Sequence, residues 1–243
     1  MNGEKWMIKL TQQLQIGLLC LMAVASFAHS SEAKDPDPYE NLNRKSHSFN
    51  ETLDKYIARP AAKIYANTMP DPVERGVVNF FSNLDELTNI ANDLLQAKFG
   101  QAANDTGRFL INSTLGIAGL FDVAERAGLP KSEGEDFGQT LGAWGVGEGP
   151  YLMLPFVGPS TLRDAPSKYI DSFANPVSYM DDVSTRNSLR LVGLVSMRAE
   201  LLGLDDAISG DSYLFVRDVY LQRRDYLVKD GAIEDDFGDL DDY

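Results

Sequence analysis

From Tyr39 onward, apolar side chains recur at helical spacing. Val73, Val77, Phe80, Phe81 and Leu84 fall at i, i+4, i+7, i+8 and i+11, just after Asp71-Pro72-Val73-Glu74. That tetrapeptide reads as a helix start: an Asp cap, Pro at the first helical position and Glu three residues past the cap. A helix expected from Ser184 gathers Leu191, Leu194, Val195 and Leu202 on one face. Another, from Asp211, gathers Tyr213, Val216, Tyr220 and Leu227, with Arg217, Arg223 and Arg224 off the centre of the stripe. No run of β-branched residues alternates convincingly with polar ones, and no internal repeat is present. The pattern predicts an all-α fold.

Two segments break the pattern. Residues 109–124 carry one charge, Asp122, and are apolar on nearly every face. Such a helix is buried in protein or in lipid. Its length, about 24 Å, is short of the roughly 30 Å hydrocarbon core. It is expected either as the central core helix or as a monotopic element within one leaflet. Residues 138–159 hold Gly138, Gly142, Gly145, Gly147, Gly149 and Gly158 with Pro150, Pro155 and Pro159, which should exclude a helix there. Trp144, Tyr151, Leu154 and Phe156 make this stretch too apolar for a plain surface loop. It reads as a hairpin or bent loop packed on apolar surface or lining a cavity.

Charge narrows the function classes. The chain has 22 Lys+Arg against 36 Asp+Glu, which argues against nucleic acid as a partner. Its single Cys and two His disfavour zinc sites, disulfide scaffolds and thiol catalysis, and no cofactor is expected. Residues 1–28 read as an export signal, with Lys5 and Lys9 before an apolar run and Ser26-Phe27-Ala28 at the cleavage site. Cys20 follows Leu19 inside that run, so it is expected to be discarded with the signal rather than lipidated. Residues 29–38 form a polar linker, residues 39–229 the helical domain, and residues 230–243, with seven acids and no base, a solvated tail.

Catalytic signatures are missing. Gly145-Val146-Gly147-Glu148-Gly149 lacks the strand, Lys and Ser/Thr of a phosphate-cradling loop. His47 is the one His beyond the expected mature terminus, and no Gly-x-Ser-x-Gly turn occurs. The pairs Asp181-Asp182 and Asp205-Asp206 read as caps or solvated faces.

Several ordered motifs nevertheless resemble one family. They are Asp37-Pro38-Tyr39-Glu40, Asn43-Arg44, Phe49-Asn50, Asp54 and Arg59-Pro60, then Asn79-Phe80-Phe81 with Asn83-Leu84. Arg108 through Ser113, leading to Leu115-Gly116, comes next. The most specific run is Asp136-Phe137-Gly138-Gln139-Thr140-Leu141-Gly142 with Gly145-Val146-Gly147, Gly149-Pro150-Tyr151 and Leu154-Pro155. Thr161-Leu162-Arg163-Asp164, Val216-Arg217, Tyr220 and Arg223 complete it. The whole resembles the MlaA/VacJ family. The resemblance implies a single ring-shaped helical domain, monotopic in the inner leaflet of the Gram-negative outer membrane and not an enzyme. It implies removal of misplaced outer-leaflet phospholipid through an amphipathic channel, with a trimeric porin and a periplasmic lipid carrier as partners.

On that resemblance, Phe137, Gly138, Gly142, Gly145, Gly147, Gly149, Pro150 and Leu154 are candidates for the channel or gate. Arg163 and Asp164 are candidates for headgroup binding, or equally a structural ion pair. Phe109, Leu115, Leu120 and Phe121 are candidates for the membrane-embedded helix. Family members are lipoproteins, a feature for which this sequence offers no convincing signal. A periplasmic phospholipase and a helical binding module are the alternatives.

Overall fold

The computed structural model describes residues 35–207 and 210–232. The export signal with Cys20, the first part of the linker and nearly all of the acidic tail lie outside the described residues.

The helical expectation holds. Helix α1 (Glu40–Leu53) runs through one π turn (Asp54–Ala58) into α2 (Arg59–Thr68). Pro60 explains that turn: it has no N–H to donate and its ring crowds the carbonyl four residues back, so Arg59 N–H reaches the Asp54 carbonyl instead. Helix α3 (Asp71–Leu95) and α4 (Phe99–Thr114) form an antiparallel pair, followed by short α5 (Val123–Arg126) and α6 (Phe137–Ala143). A β-hairpin, β1 (Tyr151–Leu154) with β2 (Gly158–Thr161), leads to α7 (Asp164–Asp171), α8 (Val183–Glu200) and α9 (Ser212–Val228). Asp182 caps α8 through Thr185 N–H and Asp211 caps α9 through Tyr213 and Leu214 N–H.

Two expectations are corrected. Residues 109–124 are not one helix. Helix α4 ends at Thr114, and residues 115–121 form a turn with Ile117, Ala118 and Gly119 at positive φ. Gly119, at φ +90°, decides the matter: a Cβ there would sit 2.6 Å from the Asn83 Cβ, so the chain turns where no side chain fits. Of the four membrane-helix candidates, Phe109 is therefore helical while Leu115, Leu120 and Phe121 belong to the turn. Gly138 and Gly142, expected to break helices, lie inside α6. Asp136 caps this helix through Gln139 N–H, and Asp171 accepts the Phe137 N–H, offsetting the propensity cost of glycine.

The hairpin is held by side chains rather than by a third strand. Asn43 donates to the Tyr151 carbonyl (3.0 Å) and accepts from Met153 N–H (2.9 Å). Asn50 does the same for the Leu154 carbonyl (2.9 Å) and Phe156 N–H (2.8 Å). Seven helical residues rise about 10.5 Å and three strand residues about 10 Å, so the two asparagines match the strand's spacing. The opposite side of the hairpin packs Tyr151 and Met153 on Tyr213, with Val216 and Tyr220 of α9 alongside.

Burial is inverted relative to a water-soluble domain. Among the described residues, twenty polar or charged side chains are buried against ten apolar ones. Ile57, Ile64, Leu115, Ile117, Phe121, Phe156, Leu191 and Leu204 are exposed. An exposed apolar surface this extensive marks an interaction or membrane surface. Among the described residues, no helix is long and apolar enough to cross a membrane.

Candidate functional site

The helices surround a cavity of about 1060 Å³. Helix α3 grades its wall: Val78 and Phe81 come first, then Ser82, Asp85, Thr88 and Asn89. The eleven helical steps from Val78 to Asn89 span about 16 Å, so one end is apolar and the other polar. Helix α8 adds groups of both kinds, with Arg190, Ser196 and Glu200 also on the wall. Gly193 of α8 lies against Phe81, with Leu194 and Met197 on the same wall. At the polar end, Glu135 N–H donates to Asn89 (3.0 Å) and Asn92 donates to Asp171 (3.1 Å). Lys131, Glu133 and Asp136 come from the connecting strap, Lys168 from α7 and Val157 from the hairpin tip. A second cavity of about 690 Å³ shares Lys131, Glu135 and Gln139 with the first and reaches Lys98, Phe99 and Tyr226. The strap of residues 131–135 thus contributes to the walls of both spaces.

Burial raises two carboxyls that face the main cavity. Asp85, ringed by protein yet open to the cavity, is pushed up to about 6, and Asp171 to about 7. Burial lowers the Lys168 ammonium.

The sequence candidates sit elsewhere. Phe137 is buried edge-on to Trp144. Gly138 and Gly142 allow close approach: a Cβ on Gly138 would overlap Asp164 and lie 2.7 Å from Arg224, and one on Gly142 would lie 2.7 Å from Val228. Gly145 and Gly147 face open space, Gly149 meets Leu162, Pro150 accepts from Leu162 N–H, and Leu154 pairs with Gly158. None of these eight lines the main cavity; their neighbours Asp136, Gln139 and Val157 do.

Arg163 and Asp164 belong to a buried ion cluster. Arg163 donates to Asp164 (2.8 Å), which also accepts from Arg224 (2.8 Å) and Tyr220 (2.9 Å). Arg224 forks onto Asp136 at 2.5 and 2.9 Å. Burial pushes the Asp164 carboxyl up, but Arg224 and Arg163 more than offset it, leaving a net lowering. The pair's structural reading is the one its contacts support.

A second buried cluster anchors the 115–121 turn. Arg108, 2% exposed, donates to Glu86 (2.9 Å), Asp122 (2.8 Å) and the Leu129 carbonyl (2.8 Å). Asn112 accepts from Val123 and Ala124 N–H and donates to Asp122. On this polar base the turn carries Leu115 (70% exposed), Ile117 and Phe121 (58% exposed) outward.

A family model described as MlaA lipoprotein matches residues 35–227. The chain belongs to the MlaA family. It is 36% identical over 244 residues to the Escherichia coli K12 intermembrane phospholipid transport system lipoprotein MlaA, covering 94% of this chain and 96% of that protein. The Haemophilus influenzae MlaA protein is 28% identical, covering 92% of this chain and 93% of its own length. An uncharacterized Rickettsia felis protein is 39% identical over 79% of this chain and 78% of its own. A solved structure from work on the structural basis for maintenance of bacterial outer membrane lipid asymmetry matches with a TM-score of 0.71 and 37% identity. It covers 80% of this chain and 100% of that one. The MlaA match spans the cavity walls and both ion clusters, none of which spacing alone exposed.

Proposed function

We propose that the chain carries phospholipid across the inner leaflet of the outer membrane, taking misplaced outer-leaflet lipid through the amphipathic cavity towards a periplasmic lipid carrier. The observation that carries this reading is a cavity with one apolar and one polar end inside a fold whose outer surface is apolar. A phospholipid has the same two ends, and a space of about 1060 Å³ is at the upper limit of ordinary ligand pockets. The relatives' description as phospholipid transport proteins supports it, and a trimeric porin is the partner we propose for the exposed helical face. In this reading the Gly-rich segment acts by placing Asp136, Gln139 and Val157 on the wall.

A phospholipase is the weaker reading. Among the described residues, Ser212 with His47 (3.1 Å) and Glu51 makes a Ser–His–acid grouping, but Glu51 lies beside the same ring nitrogen that faces the serine. A relay needs the acid on the opposite nitrogen.

Filling the cavity is the direct test. Ser82→Trp puts an indole into the space from α3 and should let phospholipid accumulate at the cell surface, with folded abundance near normal. Ser82→Ala should be silent. Unchanged surface phospholipid at matched abundance of the Trp protein rejects the cavity as the route.

A further inference from the structure

We propose that the polar end of the cavity selects phospholipids whose headgroup carries a primary ammonium beside the phosphate diester, over anionic and quaternary-ammonium headgroups. This rests on the lipid-conduit reading above. The selection follows from which lining charges are already matched. Glu135 is paired from behind by Lys98 (2.8 Å), Asp136 by Arg224 and Glu133 by Arg223 (3.7 Å). That leaves Asp85, Asp171 and Glu200 as lining carboxylates with no cation at ion-pair distance among the described residues, in the same space as Lys131, Lys168 and Arg190. Groups of both signs in one space suit a zwitterion: the phosphate to the lysines, the ammonium to the aspartates.

A third group sharpens the choice. Gln139 is 3% exposed and lines the cavity; its amide nitrogen donates to the Gly134 carbonyl (3.2 Å), while its Oε1 has no partner. A buried acceptor without a donor is costly, and a primary ammonium has N–H groups to give. A trimethylammonium has none, and a glycerol headgroup brings the phosphate's charge with no ammonium to set against the aspartates. Burial raises the carboxyls of Asp85 and Asp171, and an ammonium beside them would oppose that rise.

The test is competition. The purified full chain in detergent is offered equal amounts of phosphatidylethanolamine, phosphatidylcholine and phosphatidylglycerol with identical acyl chains, and retained lipid is quantified by mass spectrometry. Phosphatidylethanolamine should be retained at least about tenfold over either competitor, the worth of one charge-assisted hydrogen bond. In Asp85→Asn, its advantage over phosphatidylglycerol should fall to within about twofold, with an unchanged melting temperature. Retention of the three in the ratio offered, a preference for either competitor, or an unaltered preference in Asp85→Asn overturns the proposal while leaving the conduit standing. A protein that retains no lipid overturns the conduit reading as well. The wild-type competition decides the matter even if the variant does not fold.

Discussion

Replacing Arg224 with methionine should lower folding stability by about 3–5 kcal/mol, the cost of removing one partner from a buried ion pair. Methionine restores the volume but leaves Asp136 and Asp164 without the guanidinium that both engage. The Asp164 carboxyl, held below its usual range chiefly by Arg224 against the pull of burial, would lose that support. Because its folded pKa is lowered, the stability it supplies is present above the unfolded value and disappears as pH falls through the folded one. Arg224→Met should therefore flatten the acid limb of the stability curve as well as lower its plateau. Denaturant midpoints against pH measure both. A variant within about 1 kcal/mol of the wild type would mean that the cluster is not structurally important.

Phe121→Glu should release the protein from vesicles while leaving it folded. Phe121 shares its turn with Leu115 and Ile117, all exposed, and the turn's shape depends on the buried base of Arg108, Asn112 and Asp122. A substitution at the tip therefore changes the surface without touching the base. Placing a carboxylate in hydrocarbon costs at least about 2.5 kcal/mol, so flotation of the purified chain with liposomes should fall by more than tenfold. Circular dichroism should be unchanged. Undiminished flotation would place the tip in water and remove its role as a membrane-inserted element.

These two predictions mark where the sequence was legible. The helices of the 73–84, 184–202 and 211–227 stripes could be read from periodicity, and the Asp211 cap from its residue type. Boundaries shifted slightly: Asp71 lies inside α3 behind Pro70, and Asp182 rather than Ser184 opens α8. What periodicity does not reveal is what covers a face. Leu191 and Leu194 form the expected stripe, yet both are exposed, Leu194 on the wall of the open cavity. Arg224 stands off the centre of its stripe and is nonetheless buried, since its partners come from residues 60 and 88 positions away.

Glycine was misread for a related reason. In isolation Gly138 and Gly142 weaken a helix, but their lack of a side chain is what lets α6 lie against Asp164, Arg224 and Val228. Gly119 had the opposite effect, ending what looked like a continuous apolar helix. The cavity wall was invisible for the simplest reason: Phe81, Lys131, Asp171 and Leu194 are distant in sequence and meet only in the fold.

Passage of phospholipid through this cavity is tested most directly by a photoreactive side chain inside it. Phe81 lies on the apolar wall against Gly193, and benzoylphenylalanine can replace it with modest crowding. Gln222, exposed on α9 and away from the cavity, serves as the control position. After irradiation of cells with radiolabelled phospholipid, the account predicts a lipid adduct at position 81 and little at position 222. Absence of adduct at position 81 in folded, membrane-retained protein, or equal labelling at both positions, would contradict it.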